Sequence, residues 1–387
     1  MTPKIYLDYA ATTPIDEEVL KEMLPYLKDK FGNASSIHFF GQVTRTAIET
    51  ARDTISRILK AKQSEIYFTS GGTEAINLAI FGAASAIRKE TGKNHIITSS
   101  AEHHATLDSC ERLQEEGFEV TFLKTSYDGN IHPSQVQDSI KSNTALVSLM
   151  HVNNEVGSVT DIESISSLAK EKKVLFHVDA VQSFAKYEID LSKTQIDLLS
   201  ASSHKIFGPK GAGCLFIRQG TPIEPIIYGG SQERKRRGGT ENTPAIVGLA
   251  KAAELFHERR KDNFEHVSKI KNRCIEILKS WDTDILINSP STNCSPYILN
   301  FSMNQEKYSL NSDSLIMNLD LKGIAVSSGS ACTSGVMEPS HVLKAMNLPK
   351  ERAERALRFS FGRGTTYEEI ETALTILKEI LQSSTRK

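Results

Sequence analysis

Residues 174–181 read Val-Leu-Phe-His-Val-Asp-Ala-Val, and residues 196–202 read Ile-Asp-Leu-Leu-Ser-Ala-Ser. Both are apolar runs of strand length that end in polar residues. Similar runs stand at 66–68 (Ile-Tyr-Phe), 95–98, 120–123, 144–152 and 213–217. Between them lie stretches with apolar residues at helical spacing. At 43–61, Ile48, Ala51, Ile55, Ile58 and Leu59 share one face, and comparable patterns cover 74–89, 105–116 and 162–173. A strand without polar alternation needs cover on both faces. Alternation of such strands with helices therefore predicts an α/β domain built on a mostly parallel sheet.

After about Thr243 the rhythm changes. Residues 244–281 read as one or two long helices. Strands follow near 297–303, 324–328 and 356–361, and helices near 313–321, 340–346 and 367–382. This predicts a smaller α+β domain. The expected division is a large domain over 1–260 and a small domain over 261–387, with the first 15 or so residues free to pack on the small one.

The chain has 387 residues, enough for two or three domain-sized units. Its 46 Lys+Arg balance 47 Asp+Glu, so no nucleic-acid or membrane surface is expected as the main partner. No apolar run approaches the ~20 residues of a membrane span, and Met1-Thr2-Pro3-Lys4-Ile5 lacks the pattern of a signal peptide. The five cysteines are scattered and form no C-x-x-C pair, which argues against disulfides and structural zinc. A cytoplasmic protein with reduced thiols and no metal is expected.

Ligands of open α/β sheets bind beyond the carboxyl ends of the strands. Strand 66–69 runs into Ser70-Gly71-Gly72-Thr73, where glycine backbone, a helix start and a hydroxyl suit a phosphate; a plain glycine turn is the other reading. Strand 174–178 runs into Asp179, with Gln182 three residues on. A carboxylate there needs a cation or donors, and a protonated pyridine nitrogen would serve as well as a helix cap. Strand 196–201 runs into Ser202-Ser203-His204-Lys205. A lysine at such a cleft can form a Schiff base, or can be a solvated turn residue. Lysine, acid and phosphate cradle together are the protein parts that pyridoxal phosphate requires. His103, after strand 95–100, could stack on a cofactor ring and carry protons. Asn153-Asn154 could bind a carboxylate or form an Asx turn.

Residues 327–335, Ser-Ser-Gly-Ser-Ala-Cys-Thr-Ser-Gly, surround Cys332 with small side chains that cannot pack a core. A loop thiol is reachable, whereas Cys110, Cys214 and Cys274 lie in helix or strand patterns and read as structural. Cys294 lies in a polar loop. Arg358, inside an apolar strand pattern, needs a partner: a substrate carboxylate or an internal acid. The basic run Arg234-Lys235-Arg236-Arg237 precedes Gly238-Gly239-Thr240, a further candidate anion contact.

Assembled, these residues resemble the cysteine desulfurases of the NifS/IscS type. The resemblance rests on Tyr6 to Pro14, Phe31-Gly32-Asn33, Thr69 to Glu74, His151 to Glu155, His177-Val178-Asp179, Ser203-His204-Lys205, Gln232-Glu233-Arg234, Ser327 to Ser334 and Arg358-Phe359-Ser360. It implies the fold-type I, aspartate-aminotransferase-like architecture, with a seven-stranded sheet in the large domain and the cysteine loop in the small one. It implies pyridoxal 5'-phosphate joined to Lys205, His103 on the ring, Asp179 at the pyridine nitrogen and Gln182 at the ring hydroxyl. Gly72, Thr73, Ser202 and His204 would hold the phosphate, with Thr240 from the neighbouring subunit of a homodimer. Asn154, near the cofactor, and Arg358 would hold the substrate carboxylate, and Cys332 would be the nucleophile. The implied reaction takes L-cysteine to L-alanine and leaves a persulfide for an acceptor protein, an iron–sulfur scaffold or a tRNA-thiolating enzyme. Other pyridoxal enzymes, such as a transaminase or selenocysteine lyase, are the rival class, and an idle sulfur-delivery scaffold is another. Ser203 and Ser231 stand where the family usually has glycine, and Ser203 adds a Cβ at the phosphate site.

Overall fold

The computed structural model describes residues 4–281, 285–304, 306–328 and 339–384. Its centre is a seven-stranded sheet in the order Ile66–Thr69, Gly213–Ile217, Leu198–Ser202, Leu175–Asp179, Thr144–Met150, His95–Ser99, Glu119–Leu123. The last five strands in that order pair in parallel, and Gly213–Ile217 runs antiparallel to both of its neighbours. Every residue of His95–Ser99, Thr144–Met150, Leu198–Ser202 and Gly213–Ile217 is buried. This double cover is why those runs carry no alternation, and the mostly parallel α/β expectation holds. The reversal at Gly213 has a simple cause: residues 203–212 are too few for the crossover that a parallel strand needs, so the chain turns straight back. That turn carries Lys205.

The helix expected over 43–61 starts earlier, at Phe39, and ends at Leu59, where Lys60 takes the left-handed conformation. The helix expected from Glu74 runs from Gly72 to Thr91 with a π-helical turn at Leu78–Gly82. Three helices escaped the periodicity reading, Glu17–Lys28, Pro133–Ser139 and the single turn Lys350–Ala353. The first contains Pro25 and buries only Val19 and Met23 in the core, while Leu20, Leu24 and Leu27 stay exposed, so its apolar spacing does not single out the core face. Asp16 starts it by accepting from Glu18 N at 2.7 Å.

A second, antiparallel sheet runs Ala356–Ser360, Ile298–Met303, Ile285–Ile287, and the long helices Arg260–Lys279 and Tyr367–Ser383 pack together beside it. At the N-terminus, Ile5–Tyr6 pairs in parallel with Ile324–Ala325, and Asp8 bridges to Ser360. Thr13 N then donates to His204 O at 2.9 Å. Residues 5–13 therefore join the strand that bears Arg358 to the turn that bears Lys205.

Candidate active site

Strand Leu198–Ser202 ends in a single 3-10 turn, Ser203–Lys205. The turn is pinned from outside. Thr13 N and Oγ1 both donate to His204 O at 2.9 Å, Phe207 N donates to Thr13 Oγ1 at 2.8 Å, and Asp16 N donates to Phe207 O at 2.9 Å. These bonds hold Phe207 at φ 66°, an uncommon left-handed position for an aromatic residue, two places after the lysine. Lys205 Nζ, partly buried, donates to Ala10 O and Ala11 O, each at 2.7 Å. Burial lowers its pKa to about 8, helped by the Arg358 charge and opposed by Asp8 and Asp179.

Asp179 closes strand Leu175–Asp179 and is 5% exposed. The one hydrogen bond its carboxylate receives among the described residues comes from Val181 N at 2.8 Å. Burial raises its pKa to about 6, against the pull of that N–H and of the Lys205 charge. Gln182 Nε2 donates to Ala10 O at 2.9 Å, so Lys205 and Gln182 share one carbonyl. Lys186 Nζ reaches Gln182 Oε1 at 3.4 Å. His103 caps the helix His104–Glu115, its Nδ1 accepting from Ala105 N at 3.0 Å, which leaves the proton on Nε2. Desolvation first, and then the nearby charges of Lys205, His104 and His341, lower its pKa and favour the neutral ring.

Gly72 opens its helix beside Ser202: a Cβ at Gly72 would stand 2.7 Å from Val181 Cγ2 and 3.4 Å from Ser202 Cβ. Ser202 Oγ is buried with no hydrogen-bond partner among the described residues. Thr73 is exposed. His204 Nδ1 lies 3.2 Å from Thr12 Oγ1, and burial together with the neighbouring lysines lowers its pKa to about 4. Ser203, the departure from glycine, is fully buried and its backbone avoids the left-handed region, so its Cβ adds no strain there. Gly208 makes the room for its hydroxyl.

Arg358 emerges from strand Ala356–Ser360 with its side chain 4% exposed. Nη2 pairs with Asp8 Oδ1 at 2.7 Å, Nη1 donates to Asn154 O at 3.0 Å, and Nε is buried without a partner among the described residues. The internal acid is thus a real partner of this guanidinium. The two asparagines divide the readings made of them. Asn153 forms the Asx turn, its Oδ1 accepting from Glu155 N and Val156 N, while the Asn154 side chain makes no hydrogen bond among the described residues and is half-buried.

Lys205, Asp179, Gln182, His103, His204, Ser202, Gly72, Asn154 and Arg358 therefore converge beyond the strand ends. Thr240 does not join them: it is exposed and hydrogen-bonds to none of them. Cys332 lies outside the described residues. Cys110, Cys214 and Cys274 are buried, as their patterns implied. Asp8, the Ala10 and Ala11 carbonyls, Lys186 and His341 were missed. His341 Nε2 donates to Glu102 O at 2.8 Å, and its ring lies 4.8 Å from that of His104. The run Tyr6 to Pro14 was the available signal for the N-terminal contacts, since its polar residues fit neither helix nor strand period.

These residues fit pyridoxal phosphate. Asp179 is a buried acid with one donor, Ser202 an orphaned hydroxyl against a glycine cradle, and Lys205 an amine with a depressed pKa. The comparisons agree. Residues 5–373 match the Aminotransferase class-V family. The chain is 44% identical over 382 residues to a cysteine desulfurase IscS of Dictyoglomus turgidum, covering 99% of this chain and 95% of that one. A solved NifS-like protein superposes with a TM-score of 0.91 at 34% identity, covering 98% of this chain and all of the other. A structure of SspA in complex with cysteine gives 0.82 at 38% identity, covering 94% and 100%. With nearly its full length matched by the family and by these relatives, this chain belongs to the class-V aminotransferase family, in its NifS/IscS-like cysteine desulfurase branch.

Proposed function

We propose that this chain converts L-cysteine to L-alanine with pyridoxal phosphate and takes the sulfur onto Cys332 as a persulfide. The observation that carries this is Lys205: an amine lowered to about pKa 8, at a strand end, beside a buried Asp179 and a buried Arg358. The family and the solved relative bound to cysteine support cofactor and substrate.

Bound pyridoxal phosphate supplies the electron sink for the bonds broken at Cα and Cβ of the substrate. Gly72, Thr73, Ser202 and His204 would hold its phosphate, with the partner subunit's Thr240. Asp179 would face the ring nitrogen, Gln182 the ring hydroxyl, and His103 and Asn154 the ring. Arg358 and Asn154 orient the substrate carboxylate. Lys205 Nζ moves the Cα proton, and a neutral His103 with its proton on Nε2 shuttles it. General acid–base steps of this kind contribute ~10²–10⁴-fold. The Cys332 thiolate attacks the substrate sulfur: an S–S bond forms, the Cβ–S bond breaks, its electron pair passes to the carbon side, and protonation there yields alanine.

The finer reading is a cytoplasmic homodimer, divided near residue 260 with the Cys332 loop in the C-terminal domain, that delivers sulfur to an iron–sulfur scaffold or a tRNA-thiolating enzyme. The exposed apolar side chains of Leu27, Phe31, Ile37 and Phe39 support a partner surface. No helix among the described residues is long and apolar enough to cross a membrane. The test incubates purified holoenzyme with L-cysteine and a thiol reductant and measures alanine and sulfide together. Wild type should release the two in equal amounts, and Cys332→Ala should lose both. A variant that keeps full turnover would overturn the reading in favour of a transaminase or selenocysteine lyase.

A further inference from the structure

Far from Cys332 in sequence, a second thiol has an unusual neighbour. Lys271, on the helix Arg260–Lys279, is 7% exposed and pairs with no carboxylate among the described residues. Its Nζ is aimed at Cys294 Sγ, 3.0 Å away, and at Ser295 O, 2.8 Å away. A buried lysine ordinarily takes an acid as its partner; this one takes a thiol. Cys294 is only partly buried, whereas Cys110, Cys214 and Cys274 are 0% exposed. Among these four cysteines, only Cys294 combines an amine in contact with access from solvent.

We infer that Cys294 and Lys271 form an oxidation site at which hydrogen peroxide joins Sγ to Nζ through a reversible S–N bond. In the first step the sulfur attacks one peroxide oxygen, the O–O bond breaks, and the thiol becomes a sulfenic acid while the other oxygen leaves as water. The sulfur is oxidised by two electrons and the peroxide is reduced by two. In the second step the Lys271 amine lone pair attacks that sulfur. The S–O bond breaks, hydroxide takes a proton from the nitrogen, and a second water leaves. Condensation of a sulfenic acid with a backbone nitrogen is an established branch of thiol oxidation, and here the more nucleophilic Lys271 amine already touches the sulfur. Two thiol equivalents restore both side chains.

The bond would fasten a long helix to a segment that is itself tied to the site. Ser295 N donates to Gly157 O at 2.7 Å and Val159 N to Asn293 O at 2.8 Å, three and five residues beyond the Asn154 carbonyl that holds Arg358.

The test treats the holoenzyme, in a Cys332→Ser background to remove the loop thiol, with hydrogen peroxide and maps tryptic peptides by mass spectrometry. Expected is a peptide joining the Lys271 and Cys294 segments, lighter than their sum by two hydrogens, with cleavage after Lys271 lost. Dithiothreitol should abolish it, and it should be absent from Lys271→Met and Cys294→Ser. Wild-type lysine at 271 alone decides the matter if either variant folds poorly. Sulfenic or sulfinic acid at Cys294 with Lys271 still cleaved, or a Cys294 that peroxide leaves untouched, would overturn the inference.

Discussion

Arg358 and Asp8 meet at 2.7 Å across 350 residues of sequence. The guanidinium is almost wholly buried and the carboxylate is 19% exposed. The pair fastens the first strand segment to the second sheet and sets the direction in which Arg358 faces Lys205. Breaking a fully buried pair typically costs ~3–5 kcal/mol. Because Asp8 keeps some solvent contact, Asp8→Ala should cost about 2–3 kcal/mol. Urea unfolding of the cofactor-free protein measures this, and a loss under about 0.5 kcal/mol would show that the pair contributes nothing.

Lys205 should titrate well below an ordinary lysine. Its pKa falls from 10.5 to about 8, first through burial and then through the Arg358 charge. In cofactor-free protein, the rate at which an aldehyde reagent labels Lys205 should rise with pH and reach half its maximum near 8. The linkage sign follows. Between about 8 and 10.5 the unfolded chain holds this proton and the folded chain does not, so Lys205 makes stability rise with pH across that window. Labelling that is half-maximal near 10 would contradict this.

Among the described residues, Lys186 is the clearest case of a buried charge without an acid partner. Burial first and the Lys205 charge second lower it to about 7, and its contacts are Gln182 Oε1 at 3.4 Å and the Tyr297 ring at 5.1 Å. Below pH 7, protonating it in the folded state opposes folding. Lys186→Met should therefore stabilise the cofactor-free protein by ~2–4 kcal/mol at pH 6, with a smaller gain toward pH 10. Equal gains at both pH values would show that packing, rather than charge, sets the effect.

Ser203 and Gly208 form a size-matched pair. A Cβ on Gly208 would strike Ser203 Oγ and come within 3.0 Å of Ala252 Cβ. Gly208→Ala should cost about 1–3 kcal/mol by overpacking, and Ser203→Gly in the same chain should recover most of that loss. Thermal melting of the single and double variants reads it out. Additive losses would mean that the two side chains do not meet.

The alternation of apolar strands and helical patterns was legible in the chain because burial on both faces of a parallel sheet leaves a mark in composition. Lys205, Asp179 and Gly72 could be nominated for the same reason: each follows directly on a strand end, where sheets of this kind place ligands. The helix Glu17–Lys28 could not be read, since its apolar residues divide between a buried pair, Val19 and Met23, and the exposed Leu20, Leu24 and Leu27. Nor could the partners of Arg358 and Lys186, whose sequence signal is one basic residue amid apolar neighbours.

The sequence by itself determined the fold class, the order of its elements and the residue types at each strand end, because these follow from local periodicity and turn chemistry. Only the tertiary structure decided which carbonyls hold Lys205, that Asp8 meets Arg358, and that Cys294 touches Lys271. Those contacts join segments 23 to 350 residues apart. Their geometry is set by how the sheets and helices pack, which no local pattern encodes.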